Sequence, residues 1–172
     1  MAIPPAPEGY TRMVMVSKFG GGRDFSVVEP ETEQEIFFVD GAAIAFKPKA
    51  EVKRGSKDGE VLYRTTGAFA SIPKRMTISR ADGTEVAELR AKAFSMIKDR
   101  MTLHVEGEDD WTLTGSFIEK NYSIERAGEH IIQITQKWVT VRDRYTVDIR
   151  DGIDPALALA IVWAVDRWVE KD

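Results

Sequence analysis

Ten consecutive residues near the C-terminus, Ala156 to Val165, contain no polar side chain. Asp154 just before them is a good N-cap, and Pro155 suits the first helical position. The run predicts a helix over about 154–169 that is apolar on every side. Such a helix has to be buried on every side. It is too short to cross a bilayer, which takes about 20 apolar residues. No other stretch reads as a helix to bundle with it, so the natural burial place is inside a closed β-barrel. At 1.5 Å per residue the helix spans roughly 25 Å, about the length of a barrel axis. Polarity returns at Asp166, Arg167, Glu170 and Lys171, where the helix is expected to emerge. The rival arrangement is a β-sandwich whose terminal helix docks on another subunit or on a membrane.

Everything upstream reads as strands. Arg144–Arg150, Arg100–Glu106 and Arg75–Ser79 alternate polar and apolar residues. Period-two alternation predicts strands with one face in the core and the polar face in water. Turn signals separate the runs: Asp40-Gly41, Asp58-Gly59, Asp82-Gly83, Asp151-Gly152, Glu106-Gly107 and Ala127-Gly128. A degenerate repeat overlies this pattern. An aromatic precedes a large apolar residue, a Ser or Thr and an aliphatic, as in Phe69…Met76-Thr77-Ile78 and Phe117…Tyr122-Ser123-Ile124. From Phe69 onward the leading aromatics are spaced by 25, 23 and 21 residues, about one hairpin per copy. Roughly a dozen short strands result, too many for an open sheet that neither curls nor closes. The expected fold is mainly β: a closed antiparallel barrel of about 12 strands around a buried C-terminal helix. The expected domain plan is a flexible Pro-rich arm over 1–9 and a single barrel over 10–172.

Composition narrows the chemistry. The chain of 172 residues has no cysteine, which excludes disulfides, thiolate metal sites and a cysteine nucleophile. A pI near 5.4 argues against general nucleic-acid binding. The N-terminus, MAIPPAPEGY, lacks the basic and apolar regions of a secretory signal. The expectation is a cytoplasmic chain without a transmembrane span, at most peripheral to the membrane.

Several segments together resemble the LURP-one-related family. They are Lys18-Phe19 with Asp24-Phe25-Ser26-Val27, Phe38-Val39-Asp40-Gly41, and Ala91-Lys92-Ala93-Phe94-Ser95. Gly115-Ser116-Phe117 with Tyr122-Ser123-Ile124 continues the series, as do Lys137-Trp138 with Arg144-Tyr145-Thr146-Val147 and the ending Asp151-Gly152-Ile153-Asp154. The resemblance spans about Tyr10 to Val169. It implies a twelve-stranded tubby-like barrel around a central helix, with no established enzymatic activity. Distant relatives, the tubby proteins and phospholipid scramblases, work at membranes. No residue-by-residue match to the tubby lipid site is present.

The strongest charge feature is Lys47, Lys49, Lys53, Arg54 and Lys57, interrupted only by Glu51 and placed around two expected turns, Phe46–Lys49 and Arg54–Lys57. It is the candidate site for an anionic head group. Its plainer counterpart is a solvated strand edge on which lysines discourage pairing. Lys137, Arg142 and Arg144 read as ordinary surface, and Glu106, Glu108, Asp109 and Asp110 as an acidic hairpin tip. The two histidines, His104 and His130, fall on different strands without a ligand spacing, so no metal is expected. No catalytic residue and no cofactor are expected: Gly20-Gly21-Gly22 lacks the Lys-Ser/Thr and the helix of a phosphate cradle. Trp163 belongs to the core and Trp168 to the barrel mouth. The leading function is a non-enzymatic barrel that binds anionic phospholipid or another anionic ligand. The alternative is a protein–protein adaptor or structural module.

Overall fold

The computed structural model describes residues 3–18, 24–44, 47–68, 75–90, 100–137 and 144–170. The strands are β1 (Tyr10–Ser17), β2 (Phe25–Val28), β3 (Glu35–Ile44), β4 (Lys47–Arg54), β5 (Val61–Ala68) and β6 (Arg75–Arg80). They continue as β7 (Glu85–Arg90), β8 (Arg100–Val105), β9 (Trp111–Ser116), β10 (Asn121–Arg126), β11 (Glu129–Thr135) and β12 (Arg144–Arg150), followed by helix α1 (Pro155–Glu170). Each strand pairs antiparallel with its sequence neighbours, and β1 pairs with β12 from Tyr10↔Arg150 to Val16↔Arg144. The sheet is therefore a closed twelve-stranded barrel without an edge. The β-sandwich alternative is excluded by that closure.

The helix fills the lumen. Ala158 to Val165 are all at most 1% exposed, and Leu159, Ile161, Val162 and Trp163 are fully buried. Inward residues of the wall meet them, among them Met15, Val27, Ile78, Leu103, Leu113, Ile132 and Val147. Burying each such side chain stabilises the fold by about 1.5–3 kcal/mol. The N-cap reading holds: the Asp154 carboxylate accepts the Ala156 N–H at 3.0 Å. We call the barrel end where α1 begins the upper rim and the end where it finishes the lower rim.

The aromatic repeat has a simple structural meaning. Its second halves open β2, β6, β8, β10 and β12, every one of which enters the barrel from the lower rim. Phe25, Met76, Tyr122 and Tyr145 are buried there, and the aliphatics Val27, Ile78, Leu103, Ile124 and Val147 follow two residues later. Among the leading aromatics, Phe117 is buried; Phe19, Phe69, Phe94 and Trp138 lie outside the described residues.

Three expectations need correction. Asp40-Gly41 is not a turn but lies within β3, paired with Glu51 and Ala50 of β4. There the Gly41 N–H donates to the Asp24 carboxylate at 2.8 Å, which supports the strand where a hairpin would have bent. The other Gly-containing pairs do turn, and Ala127-Gly128 has φ of 52° and 80°, the geometry of a tight two-residue hairpin. Second, the polar face of β12 is not in water: Thr146 is 0% and Asp148 4% exposed. Asp148 is bound by Arg12 of β1 at 2.7 and 2.8 Å, and Arg12 also donates to the Pro4 carbonyl at 2.6 Å, so the segment before β1 lies against this outer face. The connection after the four-residue β2 lies near it too, where Glu33 meets Arg144 at 3.6 Å. Third, the helix does not emerge at Asp166: Asp166 is 2% and Arg167 4% exposed.

Candidate anion-binding face

In β4, Lys47, Lys49, Glu51 and Lys53 alternate with the buried Pro48, Ala50 and Val52, so the lysines point outward. Of the expected turn at Phe46–Lys49, Lys47 to Lys49 lie in this strand and Phe46 lies outside the described residues. Pro48 stands opposite Ala43 of β3, just beyond the register that β5 makes with β4 from Lys49 onward, and its ring lies against Gly67, where a Cβ would leave no room. Lys49 lies opposite Thr66 of β5, and Lys53 opposite Phe38 of β3.

The five predicted cations do not form one cluster. Lys47 and Lys49 sit at the lower end of β4, exposed, and make no ion pair among the described residues. Lys53 and Arg54 sit at its upper end, with Lys57 in the turn beyond. β4 rises about 3.3 Å per residue, so its two ends stand roughly 20 Å apart. Lys53 donates to Asp40 Oδ2 at 2.9 Å and lies 4.0 Å from Glu51. That hydrogen bond from its charged form raises the Lys53 pKa above the ordinary lysine value. Arg54 faces Glu60 at 3.7 Å, both largely exposed. Of the five, Lys47, Lys49 and Lys57 thus make no ion pair among the described residues.

Beside Arg54 an open cleft of about 490 Å³ lies at the start of α1, lined by Phe37, Val61, Tyr63, Arg80 and Asp154 among others. The Tyr63 hydroxyl donates to Asp154 Oδ2 at 2.6 Å. Burial first, and this bond second, push the Tyr63 pKa up to about 12. Arg54 and Arg80 are matched there by Glu60, Asp82 and Asp154, so the cleft is not a net cationic pocket.

Sequence reasoning missed a second polar cluster, inside the lower mouth. Lys120, in the turn between β9 and β10, donates to Asp166 Oδ1 at 2.6 Å, and the Tyr145 hydroxyl donates to Oδ2 at 2.7 Å. Tyr122 lies alongside; burial and the Asp166 charge raise the pKa of both tyrosines well above the usual value. Arg167 packs over the Trp163 ring at 5.8 Å, and Trp168 is 5% exposed. The available signal was the tandem Asp166-Arg167 directly after an all-apolar run, which requires partners if the run is still inside the barrel.

The histidines are surface residues. His104 Nδ1 lies 3.0 Å from Asp110 and His130 Nε2 3.3 Å from Glu125. No group of metal-ligating side chains is assembled among the described residues. The acidic tip is real, and Glu108 accepts the Trp111 indole N–H at 3.3 Å. Arg144 is engaged by Glu33, Arg142 and Gly20–Gly22 lie outside the described residues, and no described helix is long and apolar enough to cross a membrane.

The family model that matches this chain is LURP-one-related, over residues 11–166. The chain belongs to the LURP-one-related family. An X-ray structure of a protein from Arabidopsis thaliana has the same fold, with a TM-score of 0.67 over 98% of each chain at 13% identity. At that identity the likeness speaks for the fold alone. No curated protein sequence matches significantly. The family resemblance read from the segments between Lys18 and Asp154 is thus borne out, and with it the barrel around a C-terminal helix.

Proposed function

We propose that this LURP-one-related barrel is non-enzymatic and binds an anionic ligand, foremost the head groups of anionic phospholipid, at the basic surface around β4. The observation that supports this reading most is that Lys47, Lys49 and Lys57 are exposed cations to which the barrel supplies no carboxylate among the described residues. Lys53 and Arg54 complete the surface, each shared with a carboxylate. The lumen, where a substrate would otherwise enter, is packed with the side chains of α1. The test is flotation with neutral and with anionic liposomes at low and high salt. Salt-sensitive flotation with anionic lipid alone is expected, because screening weakens charge–surface attraction. Absence of flotation with every lipid would overturn the lipid reading in favour of a protein-binding module.

A further inference from the structure

The outer wall of β4 to β8 carries its charge unevenly along the barrel axis. At the lower ends of these strands, Lys47, Lys49, Arg75, Arg90 and Arg100 are all exposed. The register brings them together: Arg75 stands opposite both Ala68 of β5 and Arg90 of β7, Arg90 opposite Thr102 of β8, and Arg100 two residues below Thr102. With strands about 4.8 Å apart, the set spreads over roughly 19 Å of convex wall. Arg90 is paired with Glu88, while Lys47, Lys49, Arg75 and Arg100 make no ion pair among the described residues. Like charges directly across a strand pair destabilise a sheet. The Arg75–Arg90 juxtaposition is therefore not something folding alone favours. Glu51, the carboxylate nearest Lys49 on β4, is turned to Arg64 and Lys53.

At the upper rim Lys53, Arg54 and Arg80 end their strands, but the turns beyond them have the opposite sign. These turns carry Asp58, Glu60, Asp82 and the Glu106–Asp110 tip against one lysine, Lys57. At the lower rim, by contrast, Ile118 in the β9–β10 turn is 79% exposed; Glu119 follows it.

We propose that the lower ends of β4 to β8, through Lys47, Lys49, Arg75, Arg90 and Arg100, are the face that docks on an anionic bilayer, with Ile118 entering the head-group layer and the acidic turns directed away. This deepens the anionic-lipid reading and rests on it: of the basic surface around β4, the lower end makes the first contact, joined there by Arg75, Arg90 and Arg100. A spread of cations on a convex wall fits an extended surface better than a small enclosed ligand. The apolar Ile118 beside it favours a bilayer over an acidic protein.

The test uses vesicles of phosphatidylserine and phosphatidylcholine in equal parts. Two triple variants remove the same net charge: Lys49→Gln/Arg75→Gln/Arg100→Gln and, away from the basic surface, Arg64→Gln/Arg80→Gln/Arg126→Gln. None of the six side chains is buried, and circular-dichroism melts verify that both variants fold. The first is expected to lose roughly a hundredfold in partitioning, about fivefold per cation, and the second to partition like the wild type. Equal losses would overturn the face while leaving the anionic-lipid reading intact. A wild-type chain that does not bind the vesicles would overturn both. Orientation has its own readout, because the chain has no cysteine and a single introduced thiol is unique. An environment-sensitive fluorophore on Ile118→Cys is expected to shift to the blue and be quenched from the lipid, while one on Asp109→Cys does neither. The reverse pattern, or no response at either site with salt-sensitive binding to polyglutamate, would overturn the bilayer face.

Discussion

The two ends of α1 are held by the same kind of bond in different surroundings. At the upper rim Tyr63 donates to Asp154, at the lower mouth Tyr145 donates to Asp166, at 2.6 and 2.7 Å. Asp154 is exposed and also caps the helix, so water and backbone N–H groups share its charge. Asp166 is 2% exposed, and its charge is balanced by Lys120. The upper clasp sets where the helix starts. The lower one holds a buried charge that stays only while its partners do. The difference teaches that equal bond lengths at two ends need not mean equal energies, because the cost of breaking each is set by what solvent can replace.

The comparison can be broken most severely from the middle. Leu159→Asp or Ile161→Asp places an uncompensated charge between the two clasps, at fully buried positions. An unpaired buried charge costs several kcal/mol, which rivals the whole stability of a domain, about 5–15 kcal/mol. Neither variant is expected to give a cooperative thermal transition by near-ultraviolet circular dichroism; a wild-type melt would show that the helix is not central.

Next in size is the lower clasp. Lys120→Met strips the buried Asp166 of the cation that bonds it and leaves the Tyr145 hydroxyl, and a loss of about 3–5 kcal/mol is expected in urea unfolding. The double variant Lys120→Met/Asp166→Asn should recover part of that loss. If the single variant costs less than the double, the cation is not what holds the charge.

At the upper clasp Tyr63→Phe is expected to cost about 0.5–1.5 kcal/mol, the value of an ordinary hydrogen bond with solvent at hand. Tyr145→Phe should cost more, because it strips a donor from a buried carboxylate. Equal losses would erase the distinction between the two ends. The same tyrosine gives a pH signature. Its folded-state pKa of about 12 lies above the usual 10, so the neutral phenol is favoured by folding. That contribution is complete below pH 10 and is lost as pH rises through 12. Unfolding followed over this window should be less steep in Tyr63→Phe than in the wild type.

The smallest effect sharpens the contrast from outside the lumen. Glu60→Gln removes the exposed partner of Arg54, and a change below about 0.5 kcal/mol is expected in the same urea titration. A loss approaching that of Lys120→Met would mean that exposure does not govern these pairs.

The barrel was legible because its signals are local and repeated. The apolar run from Ala156 to Val165 calls for burial on every side, and the aromatic copies mark five of the six returns of the chain at the lower rim. What escaped was set by long-range pairing. Asp40-Gly41 carries a turn signature, yet Asp24 takes the Gly41 N–H and β4 runs past it. Asp148 alternates like a surface residue, yet Arg12, 136 positions away, covers it. Lys120 and Asp166 lie 46 positions apart and nothing in either segment names the other. The basic cluster shows the same limit. Its five members are close in sequence, but an extended strand separates Lys47 from Lys57, while Arg75, Arg90 and Arg100 arrive beside Lys49 only through the register.

The centre of this barrel is synthesised after every strand of its wall. The first strand closes on the twelfth, and α1 follows both. Strands made earlier can pair with their neighbours, but their inward side chains have nothing to cover until α1 is available. A nascent chain is thus a curling sheet with a greasy inner surface, the kind of intermediate that aggregates. Truncation before residue 155 would remove the plug rather than a tail, leaving twelve strands to wrap around empty space. Quality control is built into the order of the elements: only a chain translated past α1 can become a filled, closed barrel.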